Sequence, residues 1–329
     1  MNANFNQSNK KLKTTRTSLR APIAVLDDEY YSSIIALTEV YVGKVKNKIN
    51  IRDSLQELKI LFPMPYSLSH LKRVRGNEIL LTLVEGITKE DCLNIVKTKL
   101  PGFEPVISSC NVPSQSPKTK SQHKEANLYW PCNFHPCQMI EKFICDDFFT
   151  NDEIEKHYEY MRLAINTAKE NDSHVGVVII NPKDNVLVAK SFDQRYKNPS
   201  KHAIMMALES VSETQRILYP HRQSENTSNV TEKVKIDNCE INNISLKKPE
   251  DVLPYLCTGY DVYVTREPCI MCAMAMIHSR VRRVFFGCTS KNGAIKTKCK
   301  LHLLRQLNHH YLAFENILFE ECILLEKYS

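Results

Sequence analysis

The chain has 329 residues, of which 43% are hydrophobic and 25% are charged, and this composition excludes collagen-like and fully disordered proteins. It contains no run of about 18 apolar residues, which excludes a membrane-spanning helix. Its eight glycines form no GxGxxG or GxxxxGKS loop. The net charge of +7 is accounted for by residues 1–20, with an excess of five positive charges, and residues 112–130, with an excess of two. The folded parts are therefore near neutral, and an anionic partner would have to bind local basic clusters.

The twelve cysteines occur in a chain whose first residues lack the apolar segment of a secretory signal. We therefore expect reduced thiols and a location in the cytoplasm and nucleus. Residues 1–20 contain no acidic side chain. We interpret them as a disordered basic tail, with a mitochondrial transit peptide as the alternative.

Residues 21–111 are predicted to form a small α+β domain. The predicted strands cover residues 34–42 and 79–84, and the predicted amphipathic helices cover residues 51–61 and 89–100. The basic sequence HLKRVR precedes the second strand, and Lys72, Arg73 and Arg75 in it are candidates for phosphate contacts. The alternative is that this charge run is an ordinary solvated face.

Residues 112–128 are polar, carry two prolines and show no periodicity, so we interpret them as a linker. The remaining residues, 129–329, are predicted to form a second domain with a polar insertion at 221–251. Its first predicted elements are a helix that begins with a capping box at Thr150 and Glu153, and two β-branched strands at 174–180 and 185–192 that form a hairpin. The later ones are a helix at 202–218, a strand at 261–266, a helix at 269–279, a strand at 282–287, a strand near 314–319 and a last helix from residue 320. Helices that alternate with buried strands predict a three-layer αβα sandwich around one mixed sheet.

Cys269 and Cys272 form a CxxC pair that directly follows a predicted strand and opens a predicted helix. Residues three apart lie on one face of a helix, and a helix N-terminus favours the thiolate forms that a divalent ion requires. Zinc needs one or two further protein ligands, and His202, which opens the preceding helix, is the candidate third ligand. The alternatives are a thioredoxin-like redox pair for the cysteines and an ordinary surface or core role for the histidine.

A helix-opening histidine followed later by Pro-Cys-x-x-Cys is the arrangement of zinc-dependent base deaminases. Residues 141–329 resemble the cytidine/deoxycytidylate deaminase superfamily, and within it the tRNA-specific adenosine deaminases that convert wobble adenosine to inosine. The sequence DVYVTREPCIMCAMAMIHSRVRRVFFG at 261–287 and LNHH at 307–310 carry this resemblance. It implies a cytidine-deaminase-like sandwich, a Zn²⁺ ion bound by His202, Cys269 and Cys272, and the tRNA anticodon arm as a binding partner.

Active deaminases of this kind place Glu two residues after the histidine, where this chain has Ile204. The glutamate moves protons between the zinc-activated water and the base. Isoleucine has no titratable group, and losing a positioned acid or base typically costs a factor of about 10² to 10⁴ in rate. Ile204 also continues an apolar helix face with Leu208 and Val211, so this helix can fold correctly around an inactive site.

The substitution resembles the family's third subunit type, the non-catalytic partner in a heterodimeric wobble deaminase. The basic sequence at 70–75 and the Trp-Pro pair at 130–131 are similar to that subunit type as well. The resemblance implies a chain that is inactive alone, retains zinc, binds tRNA through residues 21–111 and works with a catalytic subunit. Two alternatives stay open. One is an active stand-alone zinc nucleoside or cytidine deaminase, which Ile204 opposes, and the other is a zinc-stabilised RNA-binding module without an enzymatic partner.

A second basic cluster follows the CxxC helix. Arg280, Arg282 and Arg283 are candidates for tRNA phosphate contacts, or for ion pairs with acids across a subunit interface. The methionine-rich helix before them is interpreted as packing against the core and a partner, because methionine side chains adapt well to a partner surface.

Overall fold

The computed structural model describes residues 19–46, 51–218 and 255–325. The chain divides into two compact units. We call Leu26–Cys145 the N-terminal unit, and Asp146–Ser329 together with the segment up to Val25 the C-terminal unit. No helix of the described residues is long and apolar enough to cross a membrane.

The strands of the described residues are β1 Ile23–Ala24, β2 Leu37–Val45, β3 Val74–Arg75, β4 Glu78–Leu83, β5 Phe103–Pro113, β6 Gly176–Asn181, β7 Val186–Phe192, β8 Asp261–Arg266, β9 Arg283–Cys288 and β10 Leu312–Glu315. The α-helices are α1 Asp28–Tyr31, α2 Ile51–Leu61, α3 Lys89–Lys99, α4 Lys120–Tyr129, α5 Gln138–Ile144, α6 Asn151–Glu170, α7 Ala203–Leu218, α8 Ile270–His278 and α9 Phe319–Leu324.

The C-terminal unit is built on a six-stranded mixed sheet with the order β1-β10-β9-β8-β6-β7. Side chains alternate between the two faces of each strand. Val262 and Val264 of β8 belong to the core beneath α7 and α8, whereas Tyr263 between them contacts His157 of α6 on the other face. The predicted αβα sandwich is thereby confirmed.

The predicted start of α6 and the predicted hairpin are also present. The Thr150 side chain accepts a hydrogen bond from the Glu153 backbone N–H, and the Glu153 carboxylate accepts one from the Thr150 backbone N–H. Strands β6 and β7 pair antiparallel over the segment where two β-branched runs predicted a hairpin.

The N-terminal unit contains a four-stranded antiparallel sheet with the order β3-β4-β2-β5. Leu58 of α2 and Val96 of α3 are buried on one face of this sheet. Trp130 is buried in a second cluster with Leu80 of β4. The predicted α+β character is confirmed, but the strands differ in part. Strand β2 begins at Leu37 and continues to Val45 rather than covering 34–42, and β3 and β5 were not predicted.

The predicted linker over residues 112–128 is wrong. Strand β5 continues to Pro113, helix α4 follows, and the N-terminal unit extends to Cys145. Thr119 caps α4 by accepting a hydrogen bond from the backbone N–H of Gln122. Within the helix only Ala126 is buried, so the segment has almost no apolar periodicity from which a helix could be recognised.

The second domain therefore begins at Asp146 rather than at residue 129, with β1 added to its sheet. The predicted polar insertion at 221–251 lies outside the described residues. The predicted disordered tail over 1–20 lies outside them as well, except for residues 19 and 20.

Candidate metal centre

Strands β7, β8 and β9 run in the same direction. β8 and β9 are parallel, and β6 is antiparallel to both β7 and β8. The segments that follow these strands therefore emerge at one edge of the sheet. His202 lies at the end of the segment after β7, and its carbonyl accepts the Met206 backbone N–H of α7 at 3.0 Å. Cys269 follows β8 as the N-terminal cap of α8, and Cys272 lies in the first turn.

These three residues, predicted from separate parts of the sequence, come together. Their ligand atoms all lie within 4.8 Å of one another, and the Cys269 Sγ is 3.6 Å from the His202 Nδ1. Zn–S bonds of about 2.3 Å and Zn–N bonds of about 2.0 Å give ligand separations of this size in a tetrahedral site. One nitrogen and two sulfur donors are the ligand chemistry that zinc prefers, so the residues fit this ion.

The two thiols differ in acidity. A hydrogen bond from Cys272 is the main cause that lowers the pKa of Cys269, which favours the thiolate form of Cys269. The same bond, together with burial, raises the pKa of Cys272. A thiolate beside a histidine nitrogen is a prepared binding site for a soft divalent cation.

A cavity of about 350 Å³ adjoins the three candidate ligands. Ile204 forms part of its wall and is only 3% exposed, within the core cluster that includes Leu208 and Val211. The predicted apolar helix face is therefore present. Where an active deaminase has its glutamate, this cavity has a side chain that can neither donate nor accept a proton.

Of the residues that the structure describes, two with carboxylates line the cavity, and both accept hydrogen bonds from other groups. Asp193 accepts hydrogen bonds from the Arg195 guanidinium at 2.7 and 2.9 Å. Glu267 accepts hydrogen bonds from four backbone N–H groups and from the Thr297 hydroxyl. Because both acids accept these hydrogen bonds, neither is available to replace the missing glutamate as a proton carrier.

Sequence reasoning missed Asp193, Arg195 and Glu267. A usable signal existed, since these residues follow β7 and β8, two strands with the same direction, and polar residues after such strands meet at one sheet edge. The fact that Glu267 binds backbone groups some 23–30 residues later in the chain carries no sequence signal.

The basic side chains of the sequence at 70–75 have different environments. Lys72 is exposed. The half-buried Arg73 guanidinium donates to the backbone carbonyls of Leu80, Leu58 and Phe62, and these bonds argue against its predicted phosphate contact. It is a structural residue because it satisfies carbonyls at the end of α2.

The Arg75 side chain makes three contacts within the N-terminal unit. It forms an ion pair with Glu78 at 2.8 Å and donates to the Tyr129 carbonyl at 2.6 Å. Its guanidinium also lies over the Trp130 ring, 4.2 Å from the ring centre. Any phosphate contact of Arg75 would have to compete with these interactions.

The second basic cluster divides in the same way. Arg280 and Arg282 are exposed. Arg283 is buried and forms an ion pair with Asp261, which is 1% exposed, on the neighbouring strand β8. The predicted tRNA contact of Arg283 is therefore wrong, and its acidic partner lies within this chain rather than across a subunit interface.

Fold and site define a class of protein. The sequence profile of the cytidine and deoxycytidylate deaminase zinc-binding region matches residues 154–288, which contain all three candidate ligands. The C-terminal unit thus contains a domain of the cytidine and deoxycytidylate deaminase type. A solved structure from a study of A-to-I editing by tRNA:A34 deaminases is 19% identical and covers 52% of this chain and 99% of that chain, with a TM-score of 0.36.

Several relatives cover most of the chain. The probable inactive tRNA-specific adenosine deaminase-like protein 3 of Danio rerio is 30% identical over 91% of this chain and 92% of that protein. The Homo sapiens protein of the same name is 32% identical over 91% and 90%. The tRNA-specific adenosine deaminase subunit TAD3 of Saccharomyces cerevisiae is 29% identical over 76% and 75%. The chain belongs to this family, the tRNA-specific adenosine deaminase subunit 3 (TAD3) proteins.

Proposed function

We propose that this chain is the non-catalytic, zinc-binding subunit of a heterodimeric deaminase that converts wobble adenosine in tRNA to inosine. One observation carries the proposal. The cavity beside His202, Cys269 and Cys272 has Ile204 at the position of the proton-carrying glutamate. Both carboxylates that line it within the described ranges accept hydrogen bonds from other groups. The names of the relatives, probable inactive deaminase-like protein 3 and deaminase subunit TAD3, agree with this proposal.

A Zn²⁺ ion at this centre would supply a cross-link between the N-termini of α7 and α8. Structural zinc contributes on the order of 10 kcal/mol of folding free energy in small domains, so retaining it is useful even without chemistry. His202 would supply the nitrogen ligand, and Cys269 and Cys272 would supply thiolates. In this proposal the ion stabilises the domain that binds the catalytic subunit.

The partner-binding and tRNA-binding surfaces are assigned on exposure and residue type. Helix α8 exposes Ile270 and Met271, 61% and 38% exposed, and apolar side chains of this kind are expected at a subunit interface. Lys72, Arg280 and Arg282 are exposed cations suited to phosphate contacts. The N-terminal unit is the proposed tRNA-binding domain. Work on tRNA would place the protein in the cytoplasm and nucleus.

The proposal is tested by measuring inosine at the wobble position of a tRNA transcript. Three samples are compared: this chain alone, the catalytic subunit alone and the purified pair. The proposal expects inosine from the pair and none from this chain. A matched sample with His202→Ala in this chain should lose bound zinc and reduce the yield of the pair.

The outcomes separate the alternatives. Zinc-dependent deamination by this chain alone would establish a stand-alone deaminase. Binding of RNA without stable association with an active deaminase would favour a zinc-stabilised RNA-binding module. The hydrogen bonds accepted by Asp193 and Glu267 argue against a stand-alone deaminase. The family relationship across both units argues against an RNA-binding module without an enzymatic partner.

A further inference from the structure

Glu267 has an unusual environment for a carboxylate outside the ligand set. It lies between β8 and Cys269 and is only 3% exposed. Its Oε1 accepts hydrogen bonds from three consecutive backbone N–H groups, those of residues 295–297, at 2.6–3.1 Å. Its Oε2 accepts hydrogen bonds from the Ser290 backbone N–H at 3.1 Å and from the Thr297 hydroxyl.

All of these donors belong to one segment, residues 290–297, which we call the pocket segment. It contains no helix or strand, so its backbone N–H groups are not paired within a regular element. Ser290, Lys291 and Asn292 of this segment line the cavity. The carboxylate of Glu267 therefore takes the place of secondary structure in fixing one wall of the cavity.

The pocket segment is also packed directly against the candidate ligand Cys269. The Ala294 backbone N–H donates to the Pro268 carbonyl at 2.8 Å, and Cys269 and Gly293 form an isolated β-bridge. A Cβ atom at Gly293 would lie 2.0 Å from the Glu267 carboxyl carbon. Only glycine therefore allows the segment to approach both the carboxylate and the ligand so closely.

The charge on Glu267 is stabilised by neutral donors. The side chain of Lys296 in the pocket segment pairs instead with Glu315, at 2.6 Å. Hydrogen bonds from N–H groups to a carboxylate are about twice as strong as neutral ones. Without the carboxylate, several buried N–H groups beside the candidate centre would lose their acceptor, which is costly.

We propose that Glu267 is a positioning residue for the metal centre. Its carboxylate holds the pocket segment against Cys269, and this contact fixes the direction of the Cys269 Sγ towards His202 and Cys272. The inference rests on the proposed zinc site. Groups that orient metal ligands from outside the ligand set typically contribute about ten- to a hundred-fold to metal affinity.

The test uses the full chain loaded with Zn²⁺ or with Co²⁺, whose thiolate charge-transfer bands report the ligand geometry. The rate of metal loss to an excess of chelator is compared for wild type, Glu267→Gln and the milder Thr297→Val. Glu315→Gln is the matched control, since it removes a carboxylate that contacts the same segment through an exposed lysine. We expect Glu267→Gln to lose zinc about ten- to a hundred-fold faster and to shift the cobalt spectrum. Thr297→Val should be intermediate, and the control should match wild type.

A purely structural role gives a different result. In that case urea unfolding of the metal-free Glu267→Gln chain shifts to lower urea, while zinc loss and the cobalt spectrum stay as in wild type and Glu315→Gln. That outcome overturns the inference and leaves the zinc site intact. If the wild-type chain itself retains no metal, the proposed zinc site fails and the positioning role fails with it. Should Glu267→Gln not fold, unchanged zinc loss in Thr297→Val overturns the inference.

Discussion

At the scale of single residues, the side chains of His157 and Arg283 are buried in the C-terminal unit, on the sheet face opposite the cavity. His157 of α6 is 4% exposed, lies among the rings of Phe149 and Phe285, and forms a hydrogen bond with the Tyr263 hydroxyl at 2.7 Å. Arg283 lies close enough to influence its titration. Because both side chains lie on the sheet face away from the cavity, we expect their substitution to change stability.

His157 makes folding sensitive to acid. Burial, and next the positive charge of Arg283, lowers the pKa of His157 from 6.5 to about 3. The unfolded chain therefore binds this proton more tightly than the folded chain. The stability is fully present above about pH 6.5 and is lost as pH falls towards 3, by on the order of 1 kcal/mol per pH unit. Urea unfolding of wild type between pH 7.5 and 4.5 should show this slope.

In His157→Phe the slope should be smaller, although His302, whose pKa burial lowers to about 4, still contributes. The exposed His278 provides the control, because His278→Phe should keep the wild-type slope. An unchanged slope in His157→Phe would contradict the assignment.

Arg283 and Arg282 are adjacent in sequence and should behave differently. Arg283→Met leaves Asp261 buried without its cationic partner, and breaking such a pair costs about 3–5 kcal/mol. Arg282→Met changes an exposed side chain and should cost less than about 0.5 kcal/mol. Chemical unfolding measures both free energies of unfolding. Equal stabilities of the two variants would mean that the Asp261 pair does not form in solution.

The candidate ligands could be predicted from sequence, because their chemistry depends on residue type and on short spacings next to helix starts. The roles of Arg73, Arg283 and Glu267 could not. Each binds groups that are distant in sequence, and two of the three bind backbone atoms, which every residue carries. A run of arginines looks the same whether its members face solvent or an aspartate on the next strand.

At the scale of elements, apolar periodicity predicted the helices and strands that bury a full face. Helix α2 was predicted with its observed bounds, and strands β6 to β9 of the C-terminal sheet were placed within two residues, whereas β1 was not predicted. Helix α4 and strand β5 were missed. α4 buries only Ala126, and four of the eleven residues of β5 are buried, so neither has the regular pattern of an amphipathic element.

Two substitutions test whether helix α4 is packed in the N-terminal unit or belongs to the flexible linker that was predicted from the sequence. Ala126→Glu places a charge in a buried position and should destabilise the N-terminal unit by about 2 kcal/mol or more. Leu128→Glu, at a position that is 80% exposed, should be nearly neutral. Thermal or urea unfolding measures both. A flexible linker would make both substitutions neutral, and that result would contradict the packed helix.

At the scale of the whole molecule, substitutions of the neighbouring residues Lys72 and Arg73 test the proposed tRNA binding. Lys72→Ala removes an exposed cation and should weaken tRNA binding by the pair of subunits, with the salt-dependence slope lower by about 1. Arg73→Ala removes bonds to three backbone carbonyls and should lower stability by about 2 kcal/mol. Binding titrations at several salt concentrations, with unfolding as the control, separate these effects. A full salt slope in Lys72→Ala would exclude Lys72 from the phosphate contacts.

In the proposed role this chain contributes no proton transfer of its own, because its cavity has Ile204 and the two carboxylates that the described part of the chain brings to it bind other groups. The most direct test is to measure wobble inosine made by the assembled pair after the catalytic subunit's own proton-carrying glutamate has been replaced by glutamine. Zinc content and tRNA binding of that pair are checked to be normal. We expect no inosine above the level without enzyme. Zinc-dependent inosine formation by that pair would show that the cavity beside His202 performs catalysis.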